Sequence, residues 1–190
     1  MESLHRIVGL IVRPQQEWTT IAAEKTSVVA LLCRYILPLA LLAPIATMIG
    51  MSTFDRGWDP LHGYLVPPER IFVTGATTYF VITGSILALA AVFAIIAPMF
   101  GVARDFVAAA KVATYGAVPV LLAGATLVFP VMAVVCLVAL CHTFCLFWMG
   151  VRQVLHVPSE SGAEFVAISL VILTLVSAIA GAIAGAIGLL

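Results

Sequence analysis

From Val112 to Gly150 the chain contains no Asp, Glu, Lys or Arg. An uncharged apolar run of that length is stable in a hydrocarbon core only where the backbone satisfies its own hydrogen bonds, which leaves α-helices or a closed β-barrel. Barrel strands alternate apolar and polar residues, and these residues do not alternate, so helices are expected. A helix rising about 1.5 Å per residue crosses a core about 30 Å thick in about 20 residues, so the run is too long for one crossing. It divides near Phe129-Pro130, where proline removes a rung of the hydrogen-bond ladder, and reads as a tight hairpin of two short spans.

The rest of the chain follows the same logic. Of its 190 residues 63% are apolar and 9% are charged, against about 25% charged in a soluble domain. Three further windows are long enough to cross: Val28 to Met51, Ile71 to Ala97 with Pro98 as its stop, and Glu164 to Leu190. The last is preceded by Ser161, which with Glu164 has the spacing of a capping box. The sequence therefore predicts an all-α, polytopic transmembrane bundle of about five helices over residues 28–190, with an amphipathic segment over 1–27. The connections are too short to hold a soluble domain. A formal net charge of zero offers no basic patch for nucleic acid.

Basic residues resist translocation and collect on the cytoplasmic side. With a cytoplasmic N-terminus, seven of the nine Lys and Arg fall inside (Arg6, Arg13, Lys25, Arg34, Arg104, Lys111 and Arg152), and Arg56 and Arg70 fall outside. Five spans then place the C-terminus on the opposite side. The stretch after Met1 is broken by Arg6, Arg13 and Pro14 before an apolar core forms, so the N-terminal segment is expected to be retained. Leu4, Ile7, Val8 and Ile11 form one apolar stripe at helical spacing, which predicts a helix lying flat on the cytoplasmic leaflet. Pro14 suits the first turn of a second short helix, in which Trp18, Ile21 and Ala22 share a face and Trp18 sits at headgroup level.

Candidate functional residues are few. Ser177, Gly181 and Gly185 make a smooth ridge on the last span, and Gly116 and Gly124 form a weaker pair in the third; such ridges let helix backbones approach closely. The ridge is expected to pack inside the bundle. Arg34, near the end of the first span, is expected to snorkel to the headgroups, with Asp105 as an alternative partner. Pro38, Pro44 and Pro119 kink their helices or line a polar pocket with Tyr35, Thr114 and Tyr115. His142 reads as a structural histidine bonded across helices. Cys141 and Cys145 stand near it, but one helix does not readily bring three such ligands to a tetrahedral centre, so no metal or cofactor is expected. Cys33, Cys136, Cys141 and Cys145 read as apolar packing residues.

No motif for metalloprotease, serine hydrolase or phosphate-loop chemistry is present, nor are there paired intramembrane carboxylates. The order of Arg13-Pro14, Trp18, Ile21, Glu24, Tyr35, Pro38-Leu39 and Gly50, then Phe100-Gly101, Asp105-Phe106, Lys111, Tyr115, Pro119, Ala123-Gly124 and Pro130, and finally Gly150 and Val157-Pro158, resembles the bacterial branch of the Yip1 domain membrane proteins. The resemblance implies a five-span domain with a cytoplasmic N-terminus and a location in the cell inner membrane. The eukaryotic branch looks like trafficking factors that bind Rab-type GTPases. Its acidic-Leu-Tyr-Gly-Pro motif does not occur ahead of the first span, so that activity is not carried over. The expected function is non-enzymatic: organising membrane, or binding lipids, other membrane proteins or a second copy of the chain in the bilayer. The rival is a small transporter or channel with a path between the proline-broken spans, and a polar cavity around Tyr35, Thr114, Tyr115 and His142 would favour it. An intramembrane metalloenzyme using His142 and the cysteines is a third reading.

Overall fold

Two short helices precede five long ones in a computed structural model that describes residues 2–53 and 67–186, with side-chain positions for 5–53, 67–129 and 131–182. Arg56, one of the two basic residues expected outside, lies beyond the described residues. Helix α1 (Glu2–Val12) turns at Arg13 into α2 (Pro14–Ala23), and Pro14 stands at the first turn of α2, where its missing N–H is not needed. The two helices cross closely: a Cβ on Gly9 would strike the side chain of Glu17.

The five helices long and apolar enough to cross a membrane are Val28–Thr53, Pro68–Phe100, Phe106–Val128, Ala133–Gln153 and one beginning at Gly162, whose helix continues to Ala186. Ser27 caps the first span by accepting the Ala30 N–H at 3.2 Å. That span is not a plain helix. It widens into a π-helical segment over Leu32–Ile36, because Pro38 has no N–H for the Arg34 carbonyl and its ring crowds that oxygen. A turn at Leu41 follows, just ahead of Pro44. The second span runs as a helix to Ile96, tightens over Ala97–Phe100, and stops at Gly101, whose φ of 74° a side chain would resist. Asp105 caps the third span, which breaks at Ala117 before Pro119 and ends in a tight turn over Gly124–Val128. Pro130 falls in the short turn that separates the third and fourth spans. The fifth opens where Ser161 accepts the Phe165 N–H on its carbonyl at 2.8 Å.

The third span is the axis of the bundle. In its most apolar stretch 72% of residues are buried, against 17% in the fifth. The first, second and fourth spans pack around it. The fifth lies against the second and fourth; Phe165 of the fifth meets Phe93 at 5.5 Å and Phe100 at 5.2 Å on the second, and Phe93 also meets Phe147 of the fourth at 5.7 Å. At one end of the bundle the first and third spans meet so closely that a Cβ on Gly50 would stand 2.7 Å from the Val128 carbonyl oxygen. At the other end α2 and the connections between the second and third and between the fourth and fifth spans come together. The latter is called the hairpin end below.

The α1–α2 hairpin is not a segment separate from the bundle but packs against it. Leu10, Trp18 and Ile21 are fully buried in the bundle, because the bundle offers aromatic and aliphatic partners that fit a Trp ring more closely than headgroups do. Of the stripe expected to face the membrane, Val8 and Ile11 are exposed on the outer side, together with Val12.

Candidate functional site

Three contacts fasten the hairpin to the axis. The first is steric. Trp18 enters a notch opposite Gly150, where a Cβ would stand 2.8 Å from the Trp18 Cη2 and 3.0 Å from a Val112 methyl. The ring meets Tyr115 edge-on at 6.5 Å, and Tyr115 in turn meets Tyr35 of the first span at 5.0 Å. Edge-to-face pairs at such separations place the positive ring edge on the negative face of the neighbour.

The second is a buried ammonium. Lys111, 7% exposed and about one turn into the third span, donates to the Ile21 carbonyl at 3.0 Å and the Glu24 carbonyl at 2.5 Å. Those oxygens belong to the C-terminal end of α2 and the residue just past it, where helix carbonyls lack intrahelical donors and the helix dipole is negative. A lysine at such depth is costly unless it is paired, and the end of α2 is its partner.

The third is the ion pair of Arg6 with Glu24, which ties α1 to the segment beyond α2. The Arg6 guanidinium also lies over the Tyr115 ring, 5.9 Å from its centroid. Burial alone would lower its affinity for its proton, but the pairing with Glu24 and the neighbouring Tyr115 outweigh burial and hold it above the ordinary arginine value. Arg6 is therefore a fixed positive charge at the seam between hairpin and bundle.

Tyr35, Thr114 and Tyr115 all stand at buried positions, 5%, 2% and 2% exposed, and Tyr35 and Tyr115 are in contact. Pro119 is buried one turn further along the third span. Arg34 is exposed, and Asp105 is committed to the third span as its cap. His142 is half-buried, and its Nε2 is enclosed without a hydrogen-bond partner, so the expected bond across helices is not formed there. The hydroxyls of Thr114 and Thr143 and the indole N–H of Trp18 are likewise enclosed and unpartnered. Cys33, Cys141 and Cys145 are exposed rather than packed; Cys136 is half-buried. Among the described residues, no three of His, Cys, Asp and Glu come together as a metal would require.

The small residues divide. Gly116 lies against the Phe147 ring of the fourth span, and Gly124 against Ala43 of the first, where a Cβ would stand 2.6 Å from the alanine Cβ. Ser177 and Gly181 are exposed, with no atom within 4 Å of where a Gly181 Cβ would be. The internal packing expected of this ridge is absent there, because the fifth span sits at the edge of the bundle and turns other residues, such as Phe165, Val166 and Ser169, inward. Gly185 lies beyond the residues whose surroundings are described.

Sequence reading missed the Trp18–Gly150 notch and the role of Lys111. One signal pointed to the latter: Lys111 is the last charge before the long uncharged run, already inside the helix that Asp105 caps.

Fold and site together define a multi-pass, all-α membrane protein whose N-terminal hairpin is fastened to the central span. The model of the Yip1 domain family matches residues 8–181, and the chain belongs to that family. The match begins within α1 and runs into the fifth span, so it includes the hairpin as well as the bundle. Neither the curated proteins nor the solved structures compared with the chain yield a match.

Proposed function

We propose that this Yip1 domain protein is non-enzymatic and works by contact, organising the bilayer or holding lipid and protein partners at its outer faces. The observation that carries the reading is the closed centre. Tyr35, Thr114 and Tyr115, three of the four residues around which a polar cavity would have favoured a transporter, are at most 5% exposed, and the fourth, His142, is half-buried. The outer surface is correspondingly rich in unpartnered apolar side chains, including Val171, Leu175, Val176 and Ile179 along the fifth span.

In this reading the hairpin end faces the cytoplasm of a bacterial cell, in the inner membrane. The support is charge: Arg6, Lys25, Arg104, Lys111 and Arg152 belong to elements gathered at that end, and basic residues resist translocation. Partners are membrane lipids first, then other membrane proteins or a second copy of the chain.

A transporter remains the second reading because of one observation: the enclosed, unpartnered hydroxyls of Thr114 and Thr143 and the His142 Nε2 are groups that a passing polar solute could satisfy. Single-cysteine variants at Tyr35, Thr114, Tyr115 and His142, made in a chain whose native cysteines are replaced, separate the two. Uniform protection from a small water-soluble thiol reagent in native membranes is the expected result. Labelling along one helix face would establish an aqueous path and replace the contact reading with the transporter.

A further inference from the structure

Between the end of α2, the Gly101–Asp105 connection and the Val154–His156 connection lies a cleft of about 530 Å³, within the range of about 300–1,000 Å³ usual for small-molecule sites. It sits where the second, third and fourth spans end or begin, at the boundary between apolar helix and polar connection. Three ionisable residues are among those that line it, Asp105, Lys111 and His156. Each has bonding capacity left. The Asp105 cap bonds, from the N–H groups of Val107 at 2.9 Å and Ala108 at 3.0 Å, both go to Oδ1 and leave Oδ2. Lys111 spends two of its three N–H donors on α2 and keeps one. His156 is exposed, and its backbone has a φ of 62°.

The histidine is the informative residue. A left-handed backbone strains any residue with a Cβ and costs glycine little, so glycine would end the fourth span here more cheaply. The chain carries instead a histidine, and that residue is part of the cleft's lining. Residues held in such conformations gather at ligand sites.

We propose that this cleft binds a phosphate–ammonium zwitterion, supplied by an ethanolamine phospholipid headgroup. Lys111 and His156 hold the phosphate, and the free Asp105 oxygen accepts from the ammonium. A simple anion would meet the Asp105 carboxylate, and a simple cation would meet Lys111; a ligand carrying both charges satisfies both. The lipid source follows from the surroundings: Val107, which lines the cleft, and Met99 and Phe106 in the adjoining ends of the second and third spans are 37%, 80% and 43% exposed and offer apolar surface for acyl chains. This site rests on the lipid-contact reading above and names its ligand.

The test is native mass spectrometry of the delipidated full chain, titrated with dioleoyl phosphatidylethanolamine, dioleoyl phosphatidylglycerol and soluble phosphoethanolamine. The wild type retains the ethanolamine lipid about tenfold better than the glycerol lipid, the gain expected of one hydrogen bond between charged groups. Asp105→Asn keeps a good helix cap and removes the charge, so it abolishes the preference. His156→Gly relieves the backbone, so thermal stability is kept or raised while retention of the ethanolamine lipid falls; a histidine with only a structural role would leave retention unchanged. Equal retention of the two lipids by the wild type, a preference that survives Asp105→Asn, or unchanged retention in His156→Gly overturns the site. Displacement of the lipid by an equal concentration of phosphoethanolamine overturns the lipid as its source. None of these outcomes alters the thiol-labelling result at Tyr35, Thr114, Tyr115 and His142, which judges the contact reading independently.

Discussion

The third and fifth spans are built from much the same residues and meet opposite fates. Both carry glycines among alanines and branched aliphatics. In the third, Gly116 and Gly124 are filled by Phe147 and Ala43, and the surrounding positions are buried almost without interruption. In the fifth, Ser177 and Gly181 face outward with nothing against them. A small residue in a span permits close approach; a protruding partner at the same depth decides whether the approach occurs. The third span has such partners on three sides and receives the hairpin besides. The fifth closes one edge and leaves Ser177 and Gly181 facing outward.

If the third span is the axis to which the hairpin is fastened, the largest single loss comes from removing the side chain that enters the notch. Trp18→Ala is expected to cost about 3–5 kcal/mol, the range for emptying a well-packed aromatic site. Thermal unfolding in detergent, followed by residual tryptophan fluorescence, checks it; a loss below about 1 kcal/mol would mean that the hairpin rests loosely on the bundle.

Lys111→Met comes next. It keeps the length of the side chain while leaving the Ile21 and Glu24 carbonyls without their donor, at an expected cost of about 1–3 kcal/mol. Hydrogen exchange distinguishes this from general weakening: α2 amides should lose protection while those at the Gly50–Val128 contact keep it. Equal loss at both ends would mean that Lys111 supports the whole bundle rather than the hairpin.

The expected weakest effect falls on the ridge. Gly181→Leu adds a side chain in open space and should change the stability of the single chain by no more than about 0.5 kcal/mol. Cross-linking in membranes then sharpens the comparison, since loss of a dimer in the variant would show that a second copy covers the ridge.

The bundle was legible in the sequence because each span is a continuous apolar run ended by a residue with an unambiguous backbone effect. Pro98 falls within the tight turn that closes the second span, Pro130 falls in the turn between the third and fourth, and Ser161 stands at the head of the fifth. The membrane imposes these features locally, through length and backbone satisfaction, so they need no knowledge of neighbours. The site depends on neighbours and was read less well. Tyr35, Thr114 and Tyr115 can be named from the sequence as polar side chains in the first and third spans, but whether such side chains face water or are buried is decided by how the helices rotate. Trp18 carried the composition of a headgroup anchor, and only the absence of a side chain on Gly150, far along the chain, made it a core residue. The π-helical segment around Tyr35 combines both cases: Pro38 announces a disturbance, and packing determines the form it takes.

The most direct test of the central claim is a paired measurement, the thermal unfolding in the same detergent of Gly116→Leu and Gly181→Leu. The account predicts that the first, which drives a side chain into the Phe147 ring, lowers Tm by roughly 5 °C or more, and that the second leaves it unchanged. Equal shifts, or a larger one at Gly181, would contradict a bundle organised around its third span.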